Sequence, residues 1–155
     1  PSPPPRALRG LAGLALHQEK DADKAMDLYE QACRMAPGCR ALAVEFGNAA
    51  FAVGKSVRFL AVLPALSPQV AEDPRVRLIR ARCLIFENRL AEGEEMLMNL
   101  SEIADIREGE VILSDLWYLI REKELIAAGE TPGPELSARV RKEFALPKNL
   151  DFRMS

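Results

Sequence analysis

Lys24 to Pro37, KAMDLYEQACRMAP, is the stretch whose reading decides the fold. Ala25, Leu28, Tyr29 and Ala32 recur at the spacing that puts them on one face of an α-helix. Pro37-Gly38 behind them is a stop that no helix continues through. Upstream, the spacing predicts a helix from about Arg6 to His17, with Leu8, Leu11, Leu14 and Ala15 as its apolar stripe. Gln18 to Ala22 reads as a charged turn, with Asp21 or Asp23 capping the next helix.

Downstream, a third helix is expected from about Ala41 to Val53, with Gly54 as its C-terminal cap. A fourth, Lys55 to Leu63, is cut short by Pro64, and the segment to Asp73 reads as a long connection. Asp73-Pro74 has the form of an N-cap followed by proline at the first helical position, opening a fifth helix to Phe86. Glu87-Asn88-Arg89 makes a turn into a sixth helix, Leu90 to Ile103. A seventh spans Gly109 to Ala128 with Ile112, Leu116, Leu119 and Ile120 in helical register, and an eighth runs from Glu135 to Phe144 before an irregular tail. Sustained period-2 alternation occurs nowhere, so the expected class is all-α.

Composition narrows the function. Lys and Arg number 21 against 23 acidic residues, a net charge of −2 that argues against nucleic acid or an anionic membrane as partner. No apolar run approaches the roughly 20 residues of a membrane-spanning helix, and PSPPPRALRG lacks the apolar core of a signal peptide. Cys33, Cys39 and Cys83 form no C-x-x-C pair; an odd count argues for reduced thiols and a cytoplasmic location, not for disulfides or zinc. Pro1 in place of Met, followed by a proline-rich stretch over residues 1–5, reads as a linker within a longer protein.

Helix pairs joined by short turns invite a search for a period. Gly13, Gly47 and Ala81 stand 34 residues apart, and a small residue there lets the two helices of a pair cross closely. Tyr29, Leu63 and Leu97 share another 34-residue register, as knobs between successive pairs. With Ala25, Tyr29, Ala32 and Pro37, this register resembles the tetratricopeptide repeat family over about residues 6–105. The resemblance implies a right-handed α-solenoid of three helix hairpins, at about 6–39, 40–73 and 74–105. Capping helices over 106–144 and a tail over 145–155 would follow. The first hairpin departs at Arg9 and Leu16, where the family carries Trp and Tyr, and the second has Phe59 where a small residue is expected. DIREGE (105–110), LSDLW (113–117) and LPKNLDFRM (146–154) are similar to the C-terminal ends of large bacterial repeat proteins. In those proteins an aldose-epimerase-like domain precedes the repeats.

Chemistry has little to work with. His17 is the only histidine, so no histidine triad or metal cluster assembles, and Glu92, Glu94 and Glu95 read as a solvated helix face. No glycine-rich phosphate loop occurs, and neither a cofactor, a metal nor a catalytic residue is expected. The resemblance instead implies binding through positions 2, 5, 9, 12 and 13 of each first helix. These are His17 and Gln18, then Val44, Asn48 and Phe51, then Arg75, Leu78, Arg82, Ile85 and Phe86. Asn48 and Arg82 share one position and would lie side by side, the Arg82 fork suiting a carboxylate. The carboxylate clamp of chaperone-binding relatives is not present, because Val44, Glu45 and Ile79 occupy its positions. The partner expected is a protein or peptide, another domain of the same chain, or a second copy meeting the repeat end or tail. Protein-interaction scaffold and structural accessory of a larger carbohydrate-active protein are the two functions carried forward.

Overall fold

The computed structural model describes residues 3–100 and 113–150. Their regular elements are helices throughout: α1 Pro5–His17, α2 Ala22–Met35, α3 Arg40–Ala52, α4 Ser56–Val62, α5 Pro68–Ala71, α6 Pro74–Phe86, α7 Leu90–Leu100, α8 Leu113–Ala127 and α9 Pro134–Glu143. The all-α class is borne out, and no strand occurs among the described residues. Two compact units divide the chain within α6, Pro1–Cys83 and Leu84–Ser155. DIREGE, the expected helix ends at Ile103 and Gly109, Ile112, Phe152 and Met154 lie outside the described residues.

The period is written into the backbone. Lys20, Gly54 and Asn88 adopt the left-handed region at φ 57°, 72° and 60°, and they stand 34 residues apart. Each follows the end of a first helix. The next residue's amide then turns back to that helix: Asp21 N to Ala15 O, Lys55 N to Ala50 O and Arg89 N to Leu84 O, all at 2.8 Å. These bonds satisfy carbonyls that the helix end leaves without partners, and the left-handed residue is what reverses the chain. Only the middle turn uses glycine; lysine and asparagine carry a Cβ that this region disfavours.

In the first unit, α1 packs on α2, α2 on α3 and α4, and α3 on α4. Tyr29 of α2 stacks on Phe46 of α3 at 5.6 Å between ring centroids, and Phe46 meets Phe59 of α4 edge-on at 5.8 Å. Phe46 and Phe59 are wholly buried, each worth about 1.5–3 kcal/mol by burial alone. Phe59 also explains its own departure from the family pattern. A Cβ on Gly47 would lie 2.6 Å from Ile79 Cγ2 and 3.1 Å from the Phe59 ring, so the glycine is small because its neighbours are large. Gly13 is different: a Cβ there would meet nothing within 4 Å, and Ala25 stands at the register position of Phe59. The shared glycine thus marks a close crossing in the second hairpin alone.

The α1 stripe differs from expectation. Leu8, Ala12 and Ala15 are buried, while Leu11 and Leu14 are 45% and 44% exposed. Leu11 and Leu14 stand 34 residues before Glu45 and Asn48. The Pro64–Asp73 connection is also more ordered than its prolines suggested. A 3-10 turn at Leu63–Ala65 and the short α5 pass through it, Leu66 and Val70 are buried, and Ser67 N donates to Pro37 O at 3.0 Å. Asp73 caps α6, accepting from Arg75 N at 2.9 Å, and receives Arg40 Nε of α3 at 2.6 Å. Burial pulls its carboxyl up, but the Arg40 hydrogen bond and the two cap amides outweigh this and hold it below its ordinary range.

In the second unit, α7 packs on α8 and α8 on α9. Trp117 is buried on α8, beneath the Arg121 guanidinium, which also pairs with Glu94 of α7. Glu94 is therefore an inter-helix partner and not part of a solvated face. Ser137 Oγ donates to Glu122 at 2.9 Å and Arg141 pairs with Asp115 at 2.8 Å, fixing α9. The tail is not wholly irregular: a 3-10 turn at Lys148–Leu150 buries Leu150 completely.

Urea denaturation tests these assignments. Gly47→Ala loses about 1–3 kcal/mol through overpacking against Ile79, whereas Gly13→Ala gains up to about 1 kcal/mol by helix propensity. Lys20→Gly stabilises by up to about 1 kcal/mol by relieving the left-handed turn. Asp73→Ala costs about 1 kcal/mol as a lost cap. Because the folded carboxyl is held low, wild type's advantage over Asp73→Asn is present above the unfolded value of about 4 and vanishes as pH falls below it.

Candidate functional site

The first helices of the first two hairpins enclose a groove of about 620 Å³. Arg9, Leu16 and His17 line it from α1, and Arg40, Ala41, Val44, Glu45, Asn48, Ala49 and Ala52 from α3. Tyr29 of α2 completes the lining, and its burial makes it part of the wall. The helical repeat dictates this set, because Ala41, Val44, Glu45, Asn48 and Ala52 recur every three or four residues along one face of α3.

Polar groups sit at the rim over an apolar wall. Arg9 Nε donates to Glu45 Oε2 across the groove, joining α1 to α3, and this bond raises the Arg9 guanidinium further above its ordinary value. The Tyr29 phenol is pushed up by burial, with Glu45 adding to the effect and Arg9 opposing it, so it stays neutral at physiological pH. The Asn48 amide, exposed on α3, offers a donor and an acceptor to a peptide backbone. A second hollow of about 510 Å³ adjoins this one, sharing Arg9 and Ala41 and adding Pro4, Pro5, Arg6, Ala36, Cys39 and Leu42.

The sequence-derived candidates divide. His17, Val44 and Asn48 all line the groove. Arg82 lays its guanidinium over the Phe51 ring, 4.2 Å from the centroid, so this fork is already engaged by an aromatic face. Arg75 is exposed at the first turn of α6, while Leu78 and Ile85 are buried. Phe86 belongs to the second unit, where Lys123 Nζ lies 5.4 Å from its ring. Sequence reasoning missed Arg9, Leu16, Tyr29 and Glu45 as groove residues. The signal was available at Arg9 and Leu16, because both replace aromatic residues of the family pattern and so leave space beside α3.

Among the described residues no group of three or more His, Cys, Asp or Glu is placed to hold a metal ion. None of their helices is long and apolar enough to cross a membrane. The family model described as tetratricopeptide repeat matches residues 16–83, which takes in the α2, α3 and α4 helices and most of α6. The fold is accordingly an all-α, tetratricopeptide-like helical repeat. No curated protein and no solved structure matches the chain.

Thiol chemistry offers a direct check on this region. Cys39 is exposed in the second hollow, whereas Cys33 and Cys83 are buried, and burial pushes the Cys33 thiol up to about 12. Ellman's reagent is expected to titrate a single thiol in the native chain, abolished by Cys39→Ser, and three after unfolding in guanidinium.

Proposed function

We propose that the chain is a non-catalytic interaction module that binds an extended segment of another protein in the groove between α1 and α3. Tetratricopeptide repeats generally mediate protein–protein interaction or scaffolding. The observation that carries the reading for this chain is the groove itself: a continuous apolar wall rimmed by Arg9, Glu45, His17 and Asn48. An extended segment needs apolar pockets for alternate side chains and rim polar groups for its backbone, and this lining supplies both. The proposed organisation is three hairpins at about 6–39, 40–73 and 74–105 with a cap over 106–144. Arg75, Arg82 and Phe51 then continue the binding face onto the third first helix.

A second reading, a structural accessory packed against another domain, draws on Leu11 and Leu14. Glu45 and Ile79 occupy the same register position as Leu11 and each engages the preceding first helix, at Arg9 and Gly47. Exposed leucine on α1 is suited to the same use against a further helix.

Replacing Asn48 with tryptophan fills part of the groove from an exposed position. Proteins captured from a lysate by the wild-type chain should be lost with Asn48→Trp and retained with Val57→Trp, a control at the 58% exposed face of α4. Equal capture by both variants, with melting temperatures matching wild type, would show that the groove is not the binding surface.

A further inference from the structure

The balanced net charge of the chain conceals a separation. The Pro1–Cys83 unit carries twelve Lys and Arg against eight acidic residues, a formal +4, and Leu84–Ser155 carries nine against fifteen, −6. Within the first unit the charge is layered as well. The second helices and their turns hold acids and bases that meet one another: Asp27 and Glu30 with Arg58, Asp23 with Lys55, and Glu30 with Arg34. The first helices balance less completely, although Arg9 pairs with Glu45, Arg40 with Asp73 and Arg77 with Glu72, on side chains that leave Arg9 and Arg40 more than half exposed. The α1, α3 and α6 helices together carry Arg6, Arg9, Arg40, Arg75, Arg77, Arg80 and Arg82, seven basic residues, against Glu45 alone.

All seven are arginine. The guanidinium is a planar fork that takes a carboxylate through two parallel hydrogen bonds and keeps its charge at any physiological pH. Arg6 and Arg9 line the 510 Å³ hollow, and Arg9 and Arg40 the 620 Å³ groove, so three of the seven lie along the two adjoining hollows, against Glu45 alone in their linings. Arg6, Arg9, Arg40 and Arg75 are exposed.

We infer that the segment bound in this groove is an acidic peptide, whose aspartate or glutamate side chains meet the arginines of the first helices while apolar residues between them enter the groove. The inference rests on the groove reading above and adds the chemistry of the partner. A polyphosphate backbone fits less well, because Glu45 stands within the groove and would oppose a continuous run of phosphates, whereas a peptide can place a neutral residue there. Leu16, Val44, Ala41 and Ala49 add an apolar wall that a nucleic-acid backbone would leave uncovered.

The test uses a fluorescein-labelled, C-terminally amidated peptide of about twelve residues, repeated Glu-Ala-Glu-Leu, its Gln-for-Glu counterpart, and oligouridylate of equal length. Fluorescence anisotropy on the full chain should show binding of the acidic peptide, weakening as salt rises from about 50 to about 500 mM. The double variant Arg6→Gln, Arg9→Gln should weaken it about tenfold or more, with Arg34→Gln on α2 as a control that changes nothing. Circular dichroism and melting temperature establish that each variant is folded. Equal affinity for the glutamine peptide, tighter binding of oligouridylate, unaltered binding by a folded double variant, or no binding of the acidic peptide would each overturn the inference. The groove reading fails separately: a glutamine peptide that binds and is lost with Asn48→Trp would leave the groove standing and remove only its preference for acid.

Discussion

Three helix pairs among the described residues, α1–α2, α3–α4 and α6–α7, each turn at one constrained residue. At the end of each first helix the backbone enters the left-handed region, at Lys20, Gly54 and Asn88, and the following amide bonds back to the helix it has just left. The second helix starts two residues later in each case, so the turn fixes where it begins. Tyr29, Leu63 and Leu97, at the same 34-residue spacing, are all buried. A repeat architecture is the propagation of such a local geometry at fixed intervals, with stability summed over each unit and its neighbours.

Much of the fold was legible because its signals are local. The apolar spacing of α2, the stop at Pro37-Gly38 and the Asp73-Pro74 cap each operate within one turn of helix, and the structure places them as read. What escaped needed a partner from elsewhere in the chain. The α1 stripe was read in part because amphipathic spacing alone weights leucine over alanine, yet it is Ala12 that is wholly buried. Gly54 was legible as a helix cap, whereas the left-handed turn at Lys20 was hidden because lysine is not a residue that announces positive φ. The Pro64–Asp73 segment read as loose because prolines end helices, yet proline at the first position of α5 is compatible with starting one.

The groove was half legible for a related reason. His17 and Asn48 follow from register, while Arg9 and Glu45 owe their place to a contact between residues 36 apart in sequence. Their pair is more than half exposed on the arginine side, and such a bond contributes little to stability in water. Its effect is positional: it holds two oppositely charged groups at the rim and keeps the guanidinium oriented over the space between the helices. Arg82 is held in a comparable way by the Phe51 ring. An acidic segment of the kind inferred above would meet both arginines with part of their side-chain freedom already lost, which lowers the entropic penalty of ordering them on contact.

The close crossing at Gly47 has a consequence for how this chain can change. Phe59 and Ile79 fill the volume that a side chain at Gly47 would need, whereas a side chain at Gly13 would meet nothing within 4 Å. The shared glycine is therefore replaceable in one hairpin and required in the other. A side chain can arise at Gly13 without displacing a neighbour, while one at Gly47 needs Phe59 and Ile79 to give way together. Those three residues sit on α3, α4 and α6, so change at this one position is coupled across three helices, two of one hairpin and the first of the next.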